Sequence, residues 1–221
     1  NIITRKDFQG AEVSYTRGNP AVRGGDIEAG TATYGASGDR GRVLATVSYN
    51  SRGMVFTRDQ IGGGALGLST FGNNYRLANA AGTAPTGAFI EMPGFDCSGS
   101  GTGAGGLQDL FFQTAPGQPG NICSFNFNAI AANEASADTS ALFASGEHQI
   151  NDDWSTYFQA SVTRNESFGR YAPTPGQVFV PEGSPNDPVP GDGRGAFVRH
   201  RFAAVGPRDT NTDENGYDVM I

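Results

Sequence analysis

The chain has 221 residues, 37% of them apolar and 10% aromatic, with 33 glycines and 12 prolines. Its formal charge is −7 with no basic cluster, which leaves no electrostatic footprint for nucleic acid. With its 33 glycines counted, the apolar share matches the roughly 45–50% of an ordinary globular chain, so what is unusual is how much of that share is glycine and not core-forming side chain, while the recurring aromatics argue against a solvated coil. What fits is a chain of many strands and turns whose apolar residues occupy one face.

The first strand is expected over 9–18, where Ala11, Val13 and Tyr15 alternate with Glu12, Ser14 and Thr16 before the turn residues at Gly18 to Pro20. A second is expected over 26–36; Gly30 interrupts its alternation and predicts a bulge or a close backbone approach. After the turn ASGDRG, a third strand is expected over 41–58. Val43, Ala45, Val47 and Tyr49 form its apolar face, and Arg42, Thr46, Ser48, Asn50 and Arg52 its polar face, with Leu44 out of pattern.

From 60 to 138 the alternation lapses into a Gly-, Ala-, Asn- and Pro-rich stretch that holds both cysteines, expected as a long loop. Strands return at 139–150 and 154–170 around an Asn-Asp-Asp turn. In the second of these, Trp154, Phe158, Ala160 and Val162 oppose Ser155, Tyr157, Gln159, Ser161 and Thr163. The segment 171–195 carries six prolines and is expected as a second loop. The remainder, 196–221, reads as one last extended strand.

No uncharged run has the character of a spanning helix, since the longest, Leu110 to Asn133, contains two prolines and many amides. The connections alternate between short turns and very long loops, and a compact soluble domain rarely carries structureless loops beyond about 15 residues. Outer-membrane β-barrels do, with strands of about 10 residues that alternate apolar and polar. Tyr15, Tyr34, Tyr49 and Trp154 fall at or near strand ends, where an interfacial aromatic girdle belongs.

Asn1, Ile2, Ile3, Thr4 and Arg5, within NIITRKDF, resemble the segment that closes the plug domain of TonB-dependent outer-membrane receptors. Arg199 to Ile221 is similar to a descending strand in the proteobacterial members, and PEGSPNDP from Pro181 to a proline-rich outer loop. With the loop alternation, the resemblance covers the chain. It implies an all-β fold: an antiparallel partial transmembrane β-barrel, about six strands of a barrel of about 22, with long extracellular loops. Residues 1–8 would be the end of the plug and a linker, and 9–221 the N-terminal part of the barrel.

The implied role is uptake across the outer membrane of a Gram-negative cell. The solute would be scarce: a siderophore, a vitamin, an oligosaccharide or a peptide. The implied partners are outer-membrane lipid, the solute, and the TonB complex through a part that this chain lacks. No cofactor, metal or covalent chemistry is implied.

In a cell-surface segment, Cys97 and Cys123 are expected to form a loop-stapling disulfide. Phe111, Phe112, Phe125 and Phe127 cluster near them and either contact a solute or form the loop's own small core. Arg42, Asn50, Arg52, Tyr157 and Gln159 are expected along the lumen wall. Gly101 to Gly106, GTGAGG, satisfies a nucleotide-binding spacing without the flanking strand and helix, and is expected as a flexible turn. Asn211 onward imitates a calcium loop, but a polar strand end is the expected account of Asp209 to Asp218.

His148 and His200 have no nucleophile paired to them, and Asp152 and Asp153 sit in a turn, so no enzyme is expected. Two rivals remain. One is a secreted all-β binding or adhesin-like module, which would bury Val43, Val47, Phe158 and Val162 against a second sheet. The other is an extracellular hydrolase, which would need two carboxylates converging in one cleft.

Overall fold

The structure is a computed structural model that describes residues 8–60, 66–114 and 122–221. The Asn1 to Arg5 motif lies outside the described residues. The strands are β1 (Gly10–Gly18), β2 (Ile27–Gly38), β3 (Gly41–Arg52), β4 (Val55–Phe56), β5 (Asn74–Leu77), β6 (Ile90–Glu91) and β7 (Phe111–Gln113). There follow β8 (Cys123–Phe125), β9 (Ala132–Glu134), β10 (Ser136–Gln149), β11 (Ser155–Tyr171), β12 (Pro175–Val180), β13 (Ala196–Arg201) and β14 (Arg208–Met220). The fold is all-β and antiparallel; the helical elements among the described residues are short 3-10 turns. The chain divides into two units, one of residues 1–55, 133–169 and 210–221, the other of 56–132 and 170–209.

The first unit is built on a six-stranded sheet in the order β1-β2-β3-β10-β11-β14. Its strands arise where the period-two alternation is strongest. Continuous register places Val13, Ala32, Val47, Leu142 and Val162 side by side across five strands, and Ala11, Tyr34, Ala45, Ala144 and Ala160 in the next row. Val43, Gly146 and Phe158 make a third row. A Cβ on Gly146 would come within 2.3 Å of the Phe158 ring, so the glycine is the seat of that ring. Gly30 makes no bulge: it pairs in register between Tyr15 and Tyr49.

This apolar face is bounded. Toward one end, Tyr15, Tyr49 and Arg164 share a row, and beyond it lie Arg17, Glu28, Asp138 and Glu166. Toward the other end stands Trp154. Its backbone N–H and that of Asp153 donate to the Asn151 side chain, closing the β10–β11 turn. Short connections lie at that end, at 39–40 and 150–154, and both long connections leave from the tyrosine end.

Three expected boundaries are corrected. The third strand stops at Arg52 and not at 58, because after a last ladder bond from the Gly53 N–H to the Asp26 carbonyl at 2.8 Å the chain leaves the sheet and Val55–Phe56 pair with β9 instead. The segment 196–221 is two strands in different sheets, β13 and β14, broken by a 3-10 turn at Ala203–Val205, Gly206 at φ 92° and Pro207. The proline-rich 171–195 contains β12, at the edge of its sheet with Pro175 as its first residue, two places where a missing N–H costs no ladder bond.

The second unit is no structureless loop. A sheet in the order β12-β13-β5-β6 joins segments from both long connections, pairing Ala196–Arg199 of β13 with Asn74–Leu77 of β5. Tyr75, Val180, Ala196 and Val198 form one small core. Leu110, Phe111, Phe125 and the two cysteines form another.

Candidate functional site

On the polar face of the six-stranded sheet, cross-strand pairing brings together Arg42, Glu147 and Tyr157 in one row and Leu44, Ser145 and Gln159 in the next. With Phe143 they line a cleft of about 600 Å³. Arg42 and Glu147 form an ion pair on its floor. The remainder of this face is a hydroxyl ladder in which Ser14 meets Thr31, and Thr33 meets Thr46 at 3.1 Å. Three of the five expected wall residues, Arg42, Tyr157 and Gln159, therefore share one cleft. Asn50 and Arg52 do not: eight and ten residues further along β3, they lie roughly 27 and 34 Å from Arg42. Arg52 is engaged with Glu134 at 3.5 Å and the Ala135 carbonyl at 3.3 Å.

Cys97 and Cys123 are joined by a disulfide, as their context led us to expect. Phe111 and Phe125 are paired on the β7–β8 ladder beside it, edge to face at 4.9 Å, and Phe95 stacks on Phe111 at 5.0 Å. Phe111, Phe112 and Phe125 are at most 7% exposed, so of the two expected roles they fill the loop core and have no surface to offer a solute. Phe127, in a 3-10 turn, stays open to solvent.

The glycine-rich stretch Gly101 to Gly106 is not a flexible turn but a folded one, wrapped around Asp109. That carboxylate accepts the Ser100 N–H at 2.9 Å, the Gly103 N–H at 2.8 Å and the Ser100 and Thr102 hydroxyls at 2.8 and 3.1 Å. These bonds hold its pKa well below the usual carboxylate value, the Ser100 backbone bond being the main cause. The backbone amides that a phosphate would need are already taken by an internal anion.

Two buried asparagines organise this unit, and neither stands out in the sequence. Asn74, 0% exposed, donates to the Cys123 carbonyl at 2.6 Å and the Thr70 carbonyl at 2.9 Å and accepts the Cys123 N–H at 2.9 Å. Asn126 accepts the Gly67 N–H and donates to the Gly101 carbonyl, both at 2.7 Å. Each acts as a portable piece of β-ladder where the backbone has no neighbouring strand.

Asp209 to Asp218 lies in β14, where extended backbone cannot wrap a cation; Asp209 pairs with Arg170 at 2.8 Å and Asp213 with Arg164 at 3.2 Å. No group of three or more candidate metal ligands occurs among the described residues. His148 is exposed on β10, and His200 packs edge-on against Phe202 at 4.8 Å, its pKa lowered by burial.

Comparison with protein-family models, with curated proteins and with solved structures finds no match for this chain.

Proposed function

We propose that the chain is part of a TonB-dependent transporter of the outer membrane of a Gram-negative bacterium. Its six-stranded sheet would form a section of the barrel wall, and its second unit would be made of extracellular loops. The role is solute uptake and involves no covalent chemistry. The observation that carries the proposal is the apolar face. Val43, Val47, Phe158 and Val162 are 48%, 52%, 44% and 43% exposed, on one face, in two rows separated by the alanine row. A soluble β-sandwich buries that face against a second sheet.

The dimensions support the same reading. Trp154, the residue just before β11, and the tyrosine row at Arg164 are ten residues apart, about 34 Å along an extended strand. At a barrel tilt of about 40° this is roughly 26 Å, against an apolar band of about 25 Å in outer-membrane barrels. Both long connections leave from one rim, as outer loops do. The wet face, with Arg42, Tyr157 and Gln159 in its cleft, would then line the lumen.

Trp154, the sole tryptophan, is a built-in probe. Refolded into phosphatidylcholine vesicles, its fluorescence is expected to be quenched when the acyl chains carry bromine. An unquenched Trp154 in a folded, vesicle-free chain would overturn the proposal and favour a secreted all-β binding module.

A further inference from the structure

We propose that Arg76 and Arg199 form a clamp for a carboxylate-bearing solute on the small sheet of the second unit. Arg199 pairs with Asn74 across the β13–β5 ladder and Arg76 with Phe197. The two arginines are thus diagonal neighbours on one face, somewhat under about 7–8 Å apart at Cβ. Both guanidinium groups lie against the same ring, Phe89, at 4.5 Å for Arg199 and 5.3 Å for Arg76. Arg199 also rests on Phe71 at 4.8 Å.

Every polar partner of the pair is neutral. Arg199 donates to Gln177 Oε1 at 3.0 Å and Thr70 Oγ1 at 2.7 Å, and Arg76 donates through Nε to the Gly87 carbonyl at 2.8 Å. Within the unit, Arg58, Arg170 and Arg194 each face a carboxylate of the chain itself, whereas Arg201 and Arg208, like the pair, bond neutral groups: Pro173 and Ser69 for Arg201, the Ala172 carbonyl for Arg208. Glu91, in register with Asn74 on the same face, accepts from Gln113 Nε2 at 3.0 Å and bonds neither arginine, so in a protein of charge −7 the two half-buried cations side by side keep a net positive charge at this face. The neutral bonds fix each guanidinium plane and leave the Arg76 Nη atoms as open donors. A planar carboxylate matches such forks in geometry and charge, and the aromatic backing reduces competition from water. The proposal does not depend on the membrane reading, because every group in it belongs to the second unit.

The test is calorimetric titration of citrate into the full chain, refolded in non-ionic detergent at low salt. Formation of the Cys97–Cys123 disulfide and the circular dichroism spectrum serve as checks of folding. Arg76→Gln, which gives up only one bond to a backbone carbonyl, is expected to fold and to weaken citrate about ten-fold. Arg199→Gln should do at least as much. Replacing both arginines by lysine keeps the charge but removes the forks, and should not restore affinity. Arg194→Gln, whose arginine already faces Asp192, should leave binding unchanged.

Absence of citrate binding to the folded wild type, or equal losses in Arg194→Gln and Arg76→Gln, would overturn the clamp. Sulfate bound as tightly as citrate would overturn its carboxylate preference. Neither result bears on whether Trp154 meets lipid, so the two readings fail separately.

Discussion

Replacing Val43 by arginine tests the membrane reading most directly. Val43 shares a row with Gly146 and Phe158, and Phe158 stands four residues from Trp154 in a band ten residues long. At about 3.4 Å per residue and a tilt of about 40°, Val43 lies roughly 10 Å from the Trp154 end of a band about 26 Å tall. That is within about 3 Å of the middle, where an arginine on the lipid face of a barrel costs about 2–4 kcal/mol. On a water-exposed sheet the same change would act only through strand preference, at most about 1 kcal/mol, and surface substitutions generally stay within about 0.5 kcal/mol. Asn50→Arg, on the exposed polar face of the same strand, is the control and should stay within that smaller range. The assay is reversible guanidinium unfolding from vesicles followed by Trp154 fluorescence. A Val43→Arg variant as stable as Asn50→Arg would refute the assignment of this face to lipid.

Three further outcomes concern the second unit, and one concerns the whole chain. Replacing Cys97 by serine opens a loop of sequence separation 26 and should cost about 3.5 kcal/mol on the chain-entropy model, read as a shift between thermal melts of oxidised wild type and variant. Asn74→Ala removes three hydrogen bonds and strands the Cys123 N–H; a loss of about 2–4 kcal/mol is expected, measured as faster amide exchange at Cys123 and its neighbours. Because Asp109 has a depressed pKa when folded, its contribution is complete above the unfolded carboxylate value near pH 4, about 3.9 for Asp. It is lost as the pH falls from there toward the lower folded value, so Asp109→Asn should flatten the acid limb of a melting-temperature profile between pH 2 and 5. Finally, β1 and β14 leave two strand edges and an apolar face uncovered, so the chain should sediment as large aggregates without detergent; a monodisperse soluble monomer would contradict the barrel reading.

The six-stranded sheet was legible because its information is local. A period-two run such as Val43 to Arg52 states both its conformation and its two faces, and β10 and β11 announce their partnership through a short Asn-Asp-Asp turn. The second unit was not legible, because its order is made by groups far apart in sequence. Asn74 reads as one more loop amide until Cys123 is placed against it 49 residues later, and Asp109 as a surface acid until Ser100 to Gly103 fold over it. β12 was hidden behind prolines that occupy the one strand position and the one sheet edge that tolerate them. The cluster of phenylalanines did signal a core, but hydrophobic composition alone cannot say whether aromatic rings face each other or a ligand.

The long connections are also cheaper than their length suggests, and this bears on the site. Inserting the roughly 80 residues between β3 and β10 costs only about 2 kcal/mol more in closure entropy than inserting about 10, at about 0.6 kcal/mol per doubling. A disulfide, two small cores and the buried asparagines offset an entropic cost of that size. The first connection supplies β5 and β6 and the second supplies β12 and β13, so neither can complete the small sheet alone. Arg76 comes from the first and Arg199 from the second, and Phe89 and Phe71, which support them, both come from the first. The arginine pair therefore exists only when the two insertions fold together. A recognition surface made this way can change its chemistry by substitution in either insertion, while the six-stranded sheet keeps the register that fixes its apolar face.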